Sequence, residues 1–221
     1  MPETSGTGDG AGQVLGLHLG MSGRILVSDP AGGLTEGGDR VTGSVTGGAA
    51  EQADRRPEWT RFSITFDDGG TLRLFDKRLF DKRRLGRVRL DPDLTVLGPD
   101  AARISAAAFR ERVGRGTAAV KARLLDQSVL AGVGNLLADE TLWQARIDPR
   151  RPADALSADD LAALYRALRA ATRAAIRYGG VHTGTVIAHR HPDGHCPRCG
   201  TAMQRATVGG RTTWFCPREQ I

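Results

Sequence analysis

The apolar residues of this chain change their spacing near residue 100, and the structure they predict changes with it. Over residues 59–75 (WTRFSITFDDGGTLRLF), Phe62, Ile64 and Phe66 alternate with polar positions, DDGG supplies a turn, and Leu72 and Leu74 resume the alternation, which predicts a hairpin. Residues 14–27 (VLGLHLGMSGRILV) predict two strands around a Gly-rich turn. Residues 87–99 (RVRLDPDLTVLGP) predict a short strand and a Pro-limited linker. Residues 1–12 read as a flexible start. Residues 28–57 are rich in Gly, Pro, Asp and Thr with no period, and predict a long loop. The string RLFDK occurs at 73–77 and again at 78–82, too short for a structural repeat and consistent with an insertion in the hairpin.

From Ser105 onward the spacing is helical. Ser105 can cap a helix carrying Phe109 and Val113, and Thr117 opens a second with Val120, Leu124 and Leu125 on its apolar face. The turn AGVGN (131–135) precedes a helix from Leu136 to about Ala145. Ser157 with Asp160 has capping-box spacing ahead of Leu161, Leu164, Leu168, Ala171 and Ala175, and Gly179–Gly180 end that helix. Residues 195–221 predict a Cys-bearing hairpin.

Charge sharpens this division. The net charge of +6 is spread as −4 over residues 1–60, +2 over 61–100 and +8 over 101–221. Arg supplies nearly all the cations, since Lys occurs only at 77, 82 and 121. A basic helical half suits a polyanion such as nucleic acid, with a solvated Arg-rich surface as the alternative. No run of apolar residues reaches the roughly 20 needed to span a bilayer, and none at the start has the form of a signal peptide. All three cysteines lie in the last 26 residues, which favours a local metal site over a disulfide scaffold.

Four local constellations carry chemistry. Cys196 and Cys199 form a C-x-x-C, and Cys216 follows a hairpin-like stretch with a Gly209–Gly210 turn; two such turns facing each other satisfy tetrahedral zinc. The fourth position, three after Cys216, is Glu219, so the expected set is Cys196, Cys199, Cys216 and Glu219 around one structural zinc, with His195 or His191 as substitutes and plain buried thiols as the alternative. In LLDQSVLAGVGNLLADETLW (124–143) two helices meet across a tight turn, and Asn135 stands at the start of the second, where free N–H groups suit a phosphate or where it simply caps. HLGMSGR (18–24) places Met21 between glycines, a wedge for a base stack or a core methionine. DKRRLG (81–86) places Arg83 beside Leu85 on a basic loop.

In this order, the four elements resemble the formamidopyrimidine-DNA glycosylase / endonuclease VIII family of base-excision repair enzymes. HLGMSGR looks like its β-sandwich loop, DKRRLG like its D-P-R-R-F-G loop, LLDQSVLAGVGNLLADETLW with IDPRRPADALS (147–157) like its helix–two-turn–helix, and CPRCG…GGRTTWFCPRE like its zinc hairpin. The likeness runs from about Val14 to Glu219. It implies an α+β multidomain fold: an incomplete β-sandwich over 1–100, a helix–two-turn–helix domain over 101–180, and a lesion loop with zinc hairpin over 181–221.

The resemblance also implies a function. Such enzymes flip a damaged base out of double-stranded DNA and cut abasic sites. Met21, Arg83 and Leu85 match the residues that fill the gap, although D76-K77-R78-L79-F80 also fits the Arg loop. Asn135 and Arg211 match the phosphate contacts. An N-terminal proline forms a Schiff base with the sugar, followed by β/δ-elimination, which makes Pro2 the nucleophile and Glu3 the acid/base. The family's P-E-L-P-E helix is not found after Glu3, and two readings of the start follow: Pro2–Glu3 as a true start after an internal deletion, or a late start giving an inactive, damaged-DNA-binding module. An RNA-binding zinc-ribbon protein is the third reading. The expected protein is a monomer with no membrane attachment, cytoplasmic and nucleoid-associated when on DNA.

Overall fold

A computed structural model describes residues 14–19, 23–37, 56–76 and 87–221. Two units emerge, the first ending at Asp93 and the second running from Leu94 to Ile221.

In the first unit, β2 (Arg24–Ser28), β3 (Leu34–Gly37), β4 (Thr60–Thr65) and β5 (Thr71–Phe75) form an antiparallel sheet in the order β3-β2-β5-β4. The expected hairpin is β4–β5. Its turn closes through Phe66 N–H donating to Gly70 O (2.8 Å), with Gly69 at φ +87°. Leu26 and Phe75 are buried together, with Trp59 packed against them and its ring 5.8 Å from that of Phe75. Phe62 and Ile64 are half-buried as the alternation requires, whereas Phe66 is exposed because it already belongs to the turn.

Both strands expected within 14–27 are present, and each pairs elsewhere: β1 (Leu15–His18) with β6 (Arg87–Leu90), and β2 with β3 and β5. One reading of this unit is corrected. The 28–57 segment is not all loop, because β3 lies inside it. Leu34 of this edge strand is 47% exposed, so no buried face imposes an apolar period on it.

The second unit is helical at its centre. Helix α1 (Ala106–Val113) starts where Ser105 Oγ accepts from Ala108 N–H (3.2 Å), and it buries Phe109 and Val113. Helix α2 (Val120–Leu125) begins three residues after Thr117. Residues 118–120 are instead engaged by backbone bonds to Arg151 and Ala153, a long-range pairing that local capping signals cannot announce. Helix α3 spans Asn135–Ala145 with Gly134 as its N-cap, so Asn135 is its first residue and not its cap. Helix α4 (Ala158–Tyr178) carries the full capping box of Ser157 and Asp160 and ends at Gly179, φ +87°. Its apolar stripe packs with Val120, Leu124, Leu137 and Leu142 into one core, and Tyr165 OH donates to Ile104 O (3.1 Å). Strands β7 (Gln204–Val208) and β8 (Arg211–Phe215) form the tail hairpin. The segments expected as separate domains at 101–180 and 181–221 lie in this one unit, because Trp143 of α3 shares a buried cluster with Val186, Met203 and Trp214. Among the described residues no helix is long and apolar enough to cross a membrane.

Candidate nucleic-acid interface and metal centre

The loop between α2 and α3 is fixed by its own polar side chains. Asp126 Oδ1 accepts from Ser128 N–H (2.9 Å) and Ser128 Oγ (2.6 Å), and these bonds from Ser128 hold its carboxyl below the usual carboxylate range. Gln127 bridges the loop: Nε2 donates to Val133 O (3.0 Å), and Oε1 accepts from Gly132 N–H (2.9 Å). With Val129, Leu130 and Val133 buried, the loop delivers Asn135 to the first position of α3. There, N–H groups have no partner within the helix and the dipole favours an anion.

The hairpin reaches the same place. Asn135 Nδ2 donates to Thr212 O at 3.0 Å, which sets the α3 N-terminus beside the exposed Arg211 at the start of β8. The turn before Arg211 requires glycine. Gly209 has φ +58°, and a Cβ there would stand 3.1 Å from Ala122 Cα, so the hairpin tip lies close on α2.

Beneath the tip lies a charged cluster. Lys121 Nζ is 2.6 Å from Asp139 Oδ1, Arg190 Nε donates to Asp139 Oδ2 at 2.8 Å, and Lys121 Nζ donates to Thr213 Oγ1 at 2.6 Å. Burial is the main influence on Lys121 and lowers the pKa of its ammonium, with Asp139 acting in the other direction. The sequence carried one faint sign of this cluster: in a helical half whose other basic residues are all Arg, a Lys stands at 121, in the middle of an apolar helix face. Arg190 gave none.

At the other end of the hairpin, the Sγ atoms of Cys196, Cys199 and Cys216 lie within 4.8 Å of one another, with Cys199 and Cys216 at 3.5 Å. Tetrahedral zinc with bonds of about 2.3 Å needs sulfurs about 3.8 Å apart, so the three thiols fit it. Gly200 N–H donates to Cys196 O (2.8 Å) to make one turn. Gln220 makes the other: its Oε1 accepts from Cys216 N–H (2.9 Å) and its Nε2 donates to Ile147 O (3.0 Å). Burial disfavours the Cys196 thiolate, yet donors led by the Trp143 indole (Nε1 to Sγ, 3.4 Å) bring its thiol down to about 7. Burial pushes the Cys216 thiol up to about 11.

The expected fourth ligand stands apart. Glu219 N–H donates to Cys216 Sγ (3.4 Å), but its carboxylate lies 3.2 Å from Arg146 Nη1 and does not join the thiols. A carboxylate that is 16% exposed needs a cationic or hydrogen-bonding partner, and Arg146 supplies it. His195 and His191 are exposed, and His195 Nδ1 is 3.0 Å from Asp193 O. Thus the structure brings together Asn135 with the hairpin that carries Arg211, and the three cysteines with one another. Pro2, Glu3, Met21, Arg83 and Leu85 lie outside the described residues.

Three family models match in register with these elements. They are the formamidopyrimidine-DNA glycosylase N-terminal domain over residues 4–88, the formamidopyrimidine-DNA glycosylase H2TH domain over 97–186, and the zinc finger found in FPG and IleRS over 195–218. A formamidopyrimidine-DNA glycosylase of Chloroflexus aggregans is 34% identical over 233 residues, covering 96% of this chain and 75% of the relative. One from Roseiflexus is 38% identical over 207 residues, covering 82% and 72%. The crystal structure of the MutM (Fpg) protein from Thermus thermophilus superposes with a TM-score of 0.67 at 30% identity, covering 95% of this chain and 76% of that one. Lactococcus lactis Fpg in complex with DNA containing an abasic site shares the fold at TM-score 0.67 and 24% identity, covering 94% and 75%. The chain belongs to the formamidopyrimidine-DNA glycosylase family.

Proposed function

We propose that this protein is a DNA-repair glycosylase and abasic-site lyase acting on duplex DNA that carries oxidised bases. The observation that carries the reading is the 3.0 Å bond from Asn135 Nδ2 to Thr212 O, which joins a helix N-terminus and an arginine-bearing hairpin. Free N–H groups at a helix start and an exposed arginine on the adjoining strand suit a backbone phosphate, which positions a duplex without reading its sequence. The relatives named above are formamidopyrimidine-DNA glycosylases, and the solved neighbour from Lactococcus lactis holds DNA with an abasic site.

In this reading Met21, Arg83 and Leu85 enter the stack that the flipped nucleotide vacates. Pro2, once Met1 is removed, is the nucleophile. Its secondary amine adds to the sugar C1′, the bond to the base breaks, and an iminium forms. That cation acidifies the adjacent C–H, so that the proton and then the 3′ phosphate depart by elimination. Glu3 exchanges the protons. Zinc, when bound by Cys196, Cys199 and Cys216, fixes the two turns at the hairpin base. The protein works in the cytoplasm, on the nucleoid when bound.

Borohydride trapping on an abasic duplex tests the reading. A covalent adduct that disappears in Pro2→Gly supports it. Salt-sensitive binding with no adduct instead identifies a damaged-DNA-binding module without lyase chemistry.

A further inference from the structure

The tip of the hairpin rests on charged side chains that neither the thiol cluster nor the phosphate contacts use. Lys121 and Asp139 have side chains 0% and 1% exposed, and Arg190 is 12% exposed. Two cations thus share one buried carboxylate. Such an arrangement is costly unless every donor has an acceptor.

Here the donors converge on one short piece of β8. Thr212 O accepts from Asn135 Nδ2 (3.0 Å), Arg190 Nη2 (3.3 Å) and Lys121 Nζ (3.4 Å). Lys121 Nζ also donates to Thr213 Oγ1 (2.6 Å), and that hydroxyl donates to Arg211 O (3.1 Å). Asp139 Oδ2 accepts from Trp214 N–H (3.4 Å). Residues 211, 212, 213 and 214 are therefore each tied directly or through one hydroxyl to the same cluster. Arg190 is itself set in place by its segment, since Val186 N–H donates to Glu140 Oε2 (2.9 Å) on α3.

We infer that Lys121, Asp139 and Arg190 are positioning residues: a buried ionic lock that holds Arg211 beside Asn135 at the end of the hairpin away from the thiols. The consequence for phosphate binding rests on the reading of Arg211 and Asn135 given above. The lock sets the tip, and the cysteines set the base.

The test compares Arg190→Gln, Arg211→Ala and the double variant in the full-length protein, with zinc content measured in each. Arg190→Gln leaves a neutral Lys121–Asp139 pair, so the core keeps its charge balance. In the free protein it is expected to speed amide exchange at Thr213 and Trp214 at least about ten-fold, because the Arg190 bonds to Asp139 and Thr212 O are lost and the rest of the cluster is loosened. On an abasic duplex it is expected to weaken binding about ten-fold and to make the slope of log K against log salt less negative by about 0.9, the signature of one lost phosphate contact. Zinc content is unchanged, and the double variant binds no more weakly than Arg211→Ala alone.

Additive losses in the double variant overturn the inference, since Arg190 would then act apart from Arg211. Unchanged exchange at β8 overturns it as well, as does a slope change that appears only with loss of zinc. If Arg211→Ala leaves binding untouched while Arg190→Gln still speeds exchange, the lock stands and the phosphate reading falls.

Discussion

At its base the β7–β8 hairpin is gathered by three thiols, whereas at its tip it is gathered by two cations and a carboxylate. The two ends show how differently a small element can be held. The thiol end depends on something from outside the chain: thiol–thiol contacts are weak, and a metal that displaces the thiol protons holds the sulfurs far more firmly. The ionic end is complete within the chain. Its stability depends on desolvated charges staying paired, so it tolerates the loss of a partner poorly.

The largest expected effect breaks the thiol end. Cys216→Ala removes one of three sulfurs and should abolish zinc uptake, read as metal content of the purified protein. Structural zinc in isolated fingers contributes about 10–16 kcal/mol of apparent binding energy, so nothing else in the hairpin compensates. Because the Cys216 thiol is pushed up to about 11, it carries its proton at neutral pH. Metal binding must therefore release protons, and zinc affinity should rise with pH. Calorimetry in buffers of different ionisation heat measures that release.

The next effect breaks the ionic end. Asp139→Ala leaves Lys121 and Arg190 buried without a counter-charge and should cost on the order of 3–5 kcal/mol in chemical denaturation. A loss below about 1 kcal/mol would mean that water or another group replaces the carboxylate. A smaller change probes the approach of the tip to α2. Gly209→Ala should cost about 1–2 kcal/mol, since its φ of +58° and the 3.1 Å spacing to Ala122 Cα both oppose a methyl group. Exchange protection at Val208 and Arg211 reports it.

The smallest effect lies just outside the comparison, in the loop leading to α3. Hydrogen bonds from Ser128 keep the Asp126 carboxyl below its ordinary 3.8 in the folded protein. The proton therefore prefers the unfolded chain. The stabilisation is complete above about pH 4 and is lost as pH falls through the folded value. Asp126→Asn should flatten this part of the acid-unfolding curve, with a slight loss of stability at pH 7 and little change at the acid end, below the folded value.

Much of the second unit was legible in the order of residues. Ser105, Ser157 with Asp160, and the glycines at 179 and 209–210 act locally, through caps and turns that involve neighbours within a few positions, and the structure uses each of them. The C-x-x-C and Cys216 were legible for the same reason, because thiol spacing within a turn is a local property. The pairing of β1 with β6 was not, since Leu15 and Leu90 are far apart in sequence and nothing in either short strand names its partner. The edge strand β3 escaped because Leu34, its large apolar residue, is exposed and marks no buried face. Glu219 illustrates the limit at the metal centre. Its position three after Cys216 suggested a ligand, and only the fold shows Arg146 beside its carboxylate.

By itself the sequence determined the helices, the two turns at 196–200 and 216–220, and the family, because each depends on residues close together along the chain. Only the tertiary structure decided that Lys121, Asp139 and Arg190 meet beneath Thr212. Three charges from three separate segments become one buried cluster only when the core of the second unit closes around them. The low-dielectric interior that the closure creates strengthens their mutual attraction and makes an unpaired charge there costly.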